Sequence, residues 1–392
     1  MRFAARVTQV TESATLAVSN KARALARQGV DVIDLGGGDP DFITPAHIRA
    51  AAERAMEAGL THYVNSRGIP ELLTALADKL RRENGLTYDP ATEILVAPGG
   101  KQAIYATLMA LVGPGDEVII PEPAWVSYVP CVQLAGATPV PVALPADQNW
   151  TLTRAALAAA VTPRTRLIII NSPSNPTGHV MRREELEAVA AVAADHDLLV
   201  MADEIYEHLL YDGHRHISFG TLPGMADRTL TINGFSKSYA MTGWRLGYVA
   251  ARREIISEVL KVHSHSVTCA TSFVQAGAVA ALTGPQDCIA EMRAAYTRRR
   301  ALVTDGFNAI PGLRCPPIEG AFYAFVDVRG TGLDSTTFAS RLLDEAHVAV
   351  TPGVAFGQAG EGFVRLSFAN SDDLLQRAIE RTARMLRGAP VG

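Results

Sequence analysis

Four short stretches hold side chains whose types and spacing could do chemistry. Lys237 lies in Ser236-Lys237-Ser238-Tyr239-Ala240-Met241-Thr242-Gly243-Trp244-Arg245, directly after the apolar run 229–233. An ammonium near a buried strand end is costly unless it is paired or neutralised. A lysine with a lowered pKa is the nucleophile that forms a Schiff base with an aldehyde. Eight residues on, Arg245 could hold an anion such as a phosphate with both arms of its guanidinium. Taken alone, a solvated loop lysine and a surface arginine are the ordinary alternatives. The second stretch, Asp203-Glu204-Ile205-Tyr206, follows the apolar run 198–202. A carboxylate at the carboxyl end of a parallel strand lies where open α/β sheets bind ligands. There Asp203 could stay ionised beside a cationic ring nitrogen, and Tyr206 could donate to a ring oxygen. The ordinary alternative is a carboxylate at a helix N-terminus.

The third stretch is Asn171-Ser172-Pro173-Ser174-Asn175-Pro176-Thr177-Gly178. Proline and glycine make a rigid turn after a strand, and Asn175 would point its amide into the cleft. The fourth, Pro98-Gly99-Gly100-Lys101-Gln102-Ala103, leads into a helical run at 104–111. Small residues before a helix leave backbone N–H groups free for an anion. The run matches neither GxxxxGK[ST] nor GxGxxG.

These stretches need elements to position them. Short apolar runs at 117–120, 166–170, 198–202, 229–233 and 245–250 suit strands buried on both faces of a mostly parallel sheet. Helical patterns alternate with them. One spans 182–194. Another spans 45–58, with Thr44 as its expected N-cap, Pro45 at its first position and Gly59 as its stop. A third spans 70–84 and stops at Gly85. The alternation predicts an α/β domain over 48–285, a mostly parallel sheet flanked by helices. After Pro285 the texture changes to a long helix (286–310), strands at 321–328 and 363–368, and helices at 335–346 and 372–387, the last capped by Ser371. That predicts a smaller α+β domain over 286–392. The N-terminal residues 1–47, with a helix over 16–28, are expected to pack near it.

Composition removes whole classes of function. The chain has 392 residues, 48% hydrophobic and 19% charged, so a large core can form and disorder is not expected. A net charge of −4 argues against nucleic-acid binding, which usually needs a basic surplus. No apolar run approaches the ~18 residues of a membrane span. The opening MRFAARVTQVTES lacks an apolar core, so no signal peptide is expected, and Glu12 argues against a mitochondrial presequence. Cys131, Cys269, Cys288 and Cys315 form no CxxC pair and read as core fillers in a reducing, cytoplasmic setting. His263 and His265 lack further ligands, so no metal is expected. Arg298-Arg299-Arg300 reads as a solvated helix face.

Taken in order, the motifs resemble the class I aminotransferases, pyridoxal-phosphate (PLP) enzymes of fold type I. The likeness rests on Gly38-Asp39-Pro40-Asp41-Phe42, Asn175-Pro176-Thr177-Gly178, Asp203-Glu204-Ile205-Tyr206, the Ser236–Arg245 stretch and Arg365. Gly99-Gly100-Lys101-Gln102-Ala103, Trp125-Val126-Ser127-Tyr128 and Glu207-His208-Leu209-Leu210-Tyr211 resemble the aspartate aminotransferase-like branch. The resemblance implies that Lys237 forms the Schiff base with PLP and shuttles the proton. It implies that Asp203 pairs with the pyridinium nitrogen and that Tyr206 and Asn175 contact the ring hydroxyl. Gly100, Lys101, Gln102, Ser236 and Arg245 are implied around the phosphate, with Trp125 stacked on the ring. Arg365 is implied to hold the substrate α-carboxylate, helped by the Gly38 backbone and Asn175. Lys101, Ser13 and Thr15 match positions that contact a distal carboxylate. Tyr63 matches a tyrosine that reaches the neighbouring subunit's phosphate, which implies a homodimer. Ser174 and Ala124 depart from the branch, where Asn and Tyr are frequent. The implied activity moves an amino group between an amino acid, aspartate or glutamate foremost, and a 2-oxo acid by a ping-pong route. The alternatives are an aromatic or prephenate aminotransferase and a C–S β-lyase. A regulator built on this fold would carry an added DNA-binding domain, and none is read here.

Overall fold

The computed structural model describes residues 3–10 and 14–388. Its strands in chain order are β1 Ile33–Asp34, β2 Ile94–Ala97, β3 Glu117–Glu122, β4 Thr138–Ala143, β5 Thr165–Asn171 and β6 Leu199–Asp203. There follow β7 Thr229–Gly234, β8 Gly247–Ala250, β9 Tyr323–Asp327, β10 Val348–Ala349, β11 Thr351–Pro352 and β12 Phe363–Ser367. Seven of them form one sheet in the order β2-β8-β7-β6-β5-β3-β4. Only β8 is reversed against its neighbours; the other pairs are parallel.

The apolar runs are continuous because each face of this sheet has its own cover. Ile119, Ile168, Val200 and Ala202 turn to one side and pack with Leu186, Val189 and Val192 of the helix Arg183–Asp195. Val118, Ile120, Leu167, Ile169 and Met201 turn to the other, against Ala103 and Ile104 of the helix Gly100–Leu111 and Val259 of the helix Arg253–Ser266. That is the period-two alternation of a strand with both faces buried. Each buried Val, Leu, Ile or Met among them contributes about 1.5–3 kcal/mol by leaving water.

Parallel strands deliver their carboxyl ends to one edge. The register pairs Asn171 with Asp203, and Asp203 with Ile232. The turns after β5, β6 and β7 therefore emerge side by side, and the Gly99–Gly100 turn after β2 joins them. Two strands of this sheet were not foreseen, nor were the two-residue strands β1, β10 and β11. β4 lies at the sheet edge and carries Pro139 and Pro141, so TPVPVA does not read as an apolar run. β2 has only four residues before Pro98.

The C-terminal part has its own sheet, β11-β12-β9, all antiparallel. The helices Asp287–Asn308, Ser335–Ala346 and Asp372–Leu386 bury Val303, Phe307, Phe338, Leu342, Leu375 and Ile379 with it. Ser371 caps the last helix by accepting from the Leu374 amide. The N-terminal helix Ala14–Arg27 packs with Ala22 against Leu343 and Ala349. β1 pairs in parallel with β10. No helix among the described residues is long and apolar enough to cross a membrane.

Two expectations are corrected. Thr44 is not an N-cap: Pro45 holds the cap position of the helix Ala46–Glu57, and Thr44 Oγ1 instead donates to Ala240 O at 2.6 Å. The arginine run is not one solvated face, because successive helical residues diverge by about 100°. Arg299 is buried on Asp41 and Asp372, and Arg300 forks onto both oxygens of Asp212.

Candidate active site

A cleft of about 460 Å³ opens where the four turns meet. That size suits a small ligand. Lining it are Lys237, Asp203, Tyr206, Asn175, Gly100, Lys101, Trp125, Ser236, Arg245, Gly38 and Arg365. Two residues singled out in the sequence stand outside it. Gln102 turns its amide to Ser266 Oγ at 3.3 Å, and Tyr63 is 85% exposed on the surface. Ser13 and the side chain of Thr15 lie outside the described residues.

Lys237 donates to the Gly38 carbonyl. Desolvation lowers its pKa to about 8; Asp39 opposes the shift, while Arg365 and Arg245 add to it. An appreciable share of this amine is therefore neutral near pH 7, as a nucleophile and a base require. Asp203 sits buried at the end of β6. Burial raises its pKa to about 6, although Tyr128 Oη donates to Oδ2 at 2.7 Å and the Ile205 amide to Oδ1 at 3.2 Å. A buried carboxylate in this condition gains from a cation placed beside it. The neighbouring Glu204 turns away, to Ser218 and Phe219. It approaches Glu207 and His216, and Lys79 already supplies the cation on Glu207.

Arg365 comes from β12 and is buried. Its Nη1 donates to Asn175 Oδ1 at 3.1 Å and its Nη2 to the Gly36 and Gly37 carbonyls, while Nε has no partner among the described residues. Asn175 is fixed in turn: its amide donates to Asn171 Oδ1 at 2.8 Å, and Asn171 Nδ2 donates to Asp203 O at 2.9 Å. Tyr206 and Tyr323 share a hydroxyl–hydroxyl hydrogen bond of 2.9 Å at the floor.

The Gly99 turn is shaped for an anion. Gly99 has φ +87°, and a Cβ there would come within 2.6 Å of Arg245 Nη2. The amides of Gln102 and Ala103 bond back to Gly99 O, which leaves those of Gly100 and Lys101 at the helix mouth without a backbone acceptor. Arg245 lies across this mouth, held by its own donation to Thr242 O at 2.8 Å. These residues fit PLP by their chemistry: an anion cradle for the phosphate, an amine for the aldehyde, and a buried carboxylate for the ring nitrogen.

Tyr128, Tyr323, Asn171 and Asp39 also line the cleft and were missed as site residues. Tyr128 stood inside the quoted Trp125–Tyr128 motif; Tyr323 was concealed in an apolar strand run. Behind the Asn175 turn, His179 was also passed over. It lies between two carboxylates, 3.0 Å from Glu185 Oε2 and 3.2 Å from Glu319 Oε2. Burial works against its charge, but the hydrogen-bonded Glu185 and the ion-paired Glu319 prevail and raise its pKa from 6.5 to about 9. The folded protein thus holds a proton that the unfolded chain releases near pH 6.5. This stabilisation is full below pH 6.5 and is lost as pH rises through about 9. It is at most on the order of 3 kcal/mol. The thermal midpoint of His179→Gln should fall well below wild type at pH 6 and approach it by pH 10. A gap that is constant with pH would show that His179 is not charged.

Comparison with known proteins agrees with this layout. A family model, aminotransferase class I and II, matches residues 30–381. The chain is 45% identical over 382 residues to an aspartate aminotransferase of Musicola paradisiaca, covering 97% of this chain and 96% of that one. It is 47% identical to an aspartate/prephenate aminotransferase of Cereibacter sphaeroides, covering 97% of each. It superposes with a TM-score of 0.94 on an aspartate aminotransferase from Thermus thermophilus with maleate, at 45% identity, covering 98% of this chain and all of that one. With its motifs, its cleft and these full-length matches in accord, the chain belongs to the class I and II aminotransferases, PLP-dependent enzymes of fold type I.

Proposed function

We propose that this aminotransferase takes aspartate or glutamate as its amino donor and a 2-oxo acid as acceptor, in a ping-pong cycle. The observation that carries the reading is the charge layout of the cleft: a desolvated Lys237 shares it with a buried Asp203, a buried Arg365 and the further cation Lys101. Similarity to aspartate aminotransferases, one of them with the dicarboxylate maleate, supports it.

When bound, PLP supplies the electron sink for the charge left as the substrate Cα loses its proton. Arg365 holds the α-carboxylate with Asn175 beside it, which lets the Cα–H bond stand across the ring and favours proton loss over decarboxylation. Lys237 Nζ, part-neutral at the cleft centre, would be the base that takes and holds that proton. Asp203 would keep the ring nitrogen protonated, and Tyr128 keeps Asp203 in place. Tyr206 and Asn175 hold the ring hydroxyl. Arg245, Ser236 and the free amides of Gly100 and Lys101 would hold the phosphate, with Trp125 over the ring. Lys101, with Ser13 and Thr15, meets the distal carboxylate.

The same proposal includes a division into a large unit, 48–285, and a small unit made of 1–47 and 286–392. It also includes a cytoplasmic homodimer, in which the exposed Tyr63 crosses to the partner's phosphate. One observation favours a second reading, prephenate or aromatic donors. Ala124 borders a small, mainly apolar pocket of about 40 Å³ that shares Tyr128, Asn171 and Asn175 with the cleft.

One preparation tests the whole. With 2-oxoglutarate as acceptor, kcat/KM for aspartate should exceed that for alanine and phenylalanine at least about tenfold, the worth of one charge-assisted contact. Sedimentation at assay concentration should give a dimer. A lead for phenylalanine or prephenate would transfer the assignment to the second reading. Pyruvate and thiol released from cystathionine without an acceptor would make it a lyase, and a fully active monomer would remove the shared site.

A further inference from the structure

Five basic side chains line the cleft against two carboxylates, Asp39 and Asp203. Three of the five have work that the proposed function already defines: Lys237 at the reacting carbon, Arg245 at the phosphate and Arg365 at the α-carboxylate. Lys101 projects over Trp125, 5.0 Å from the ring centroid. The fifth is Arg23, from the helix Ala14–Arg27, a residue that no motif in the sequence marked.

Arg23 reaches the cleft because its helix is locked to the other walls. Val18, Ala22 and Leu25 follow a 3–4 spacing and pack toward Leu343 and Ala349. Lys21 adds an ion pair with Asp344 at 2.9 Å. Gly36 lets the helix come close: a Cβ on Gly36 would lie 3.1 Å from Val18 Cγ1. Ser19 and Arg23, one turn apart on the neighbouring face, are thereby brought to the rim beside Gly36, Gly37 and Gly38. Ser19 is buried there, whereas Arg23 is exposed. Among the described residues Arg23 has no ion pair and no hydrogen bond, so its five donors are free for a ligand.

We propose that Arg23 is a specificity-determining residue, gripping the distal carboxylate of a dicarboxylic donor from the N-terminal helix while Lys101 meets it from the sheet side. This deepens the proposed function and rests on its acidic-donor reading. A guanidinium meets both oxygens of a carboxylate with two parallel N–H bonds from a rigid planar fork, a geometry an ammonium does not offer. A neutral donor brings no partner for it. Arg23 therefore separates aspartate from alanine, whereas Arg365 serves both.

The test compares wild type, Arg23→Ala and Arg23→Lys as holoenzymes. Arg23→Ala should lose about ten- to a hundredfold in kcat/KM for aspartate, mostly through KM, and at least tenfold less for alanine. Arg23→Lys should recover part of the loss. Calorimetric binding of succinate should weaken in Arg23→Ala far more than binding of butyrate. Equal losses for both donors, or for both acids, would overturn the role of Arg23 while leaving the acidic preference of wild type standing. A wild type that does not prefer aspartate would overturn the underlying reading, and the inference with it.

Discussion

Lys237→Ala should lower transamination by roughly 10⁴-fold or more, since it removes both the nucleophile and the base. The resting holoenzyme should also lose its imine absorbance, while PLP can still be retained through Arg245 and the Gly99–Gly100 turn. The expectation follows from the site: Nζ is held at the Gly38 carbonyl and its pKa is lowered to about 8. Only one other lysine, Lys101, lines the cleft, which makes the experiment discriminating. Borohydride reduction of wild type should fix the cofactor to Lys237 alone. Label on Lys101, or wild-type turnover in Lys237→Ala, would dismiss the assignment.

The second large effect is at the far side of the ring. Asp203→Ala should keep the fold and lower turnover about a thousandfold, which corresponds to roughly 4 kcal/mol of lost transition-state stabilisation. A ring nitrogen without its carboxylate partner holds its proton poorly and accepts charge poorly. The substitution also strands Tyr128 Oη, now bonded to Asp203 Oδ2, so part of the loss is local reorganisation. Asp203→Asn separates the two contributions: it keeps a hydrogen-bonding side chain of the same size and removes only the charge. Wild-type turnover in Asp203→Ala with PLP bound would refute the role of the carboxylate.

The parts of this protein that were legible in its sequence are those where one local signal suffices. Buried parallel strands announce themselves as apolar runs, and the helix Ser335–Ala346 was delimited to the residue. The turns bearing Lys237, Asp203 and Asn175 were found because each follows such a run. What escaped needed partners remote in the chain. Tyr128 becomes a site residue only through Asp203, His179 only through Glu319, and Arg23 only because Gly36 admits its helix. Thr44 was misread because its acceptor, Ala240, is nearly two hundred positions away, and a local cap was the nearest explanation. Arg299 was misread likewise, since its carboxylates belong to two other segments.

The pairing of β1 with β10 sets an order of assembly. All seven strands of the large sheet lie between residues 94 and 250, so that sheet can close while the rest of the chain is still being synthesised. The Gly36–Gly38 strip must wait: its partner Arg365 stands 329 residues further on, and Thr351, which also bonds Gly36, 315. At common elongation rates that delay is roughly 15 to 65 s. The nascent protein therefore passes through a stage that has its phosphate cradle and its reactive lysine but no grip on a carboxylate. It acquires a place for its cofactor before it acquires a place for its substrate.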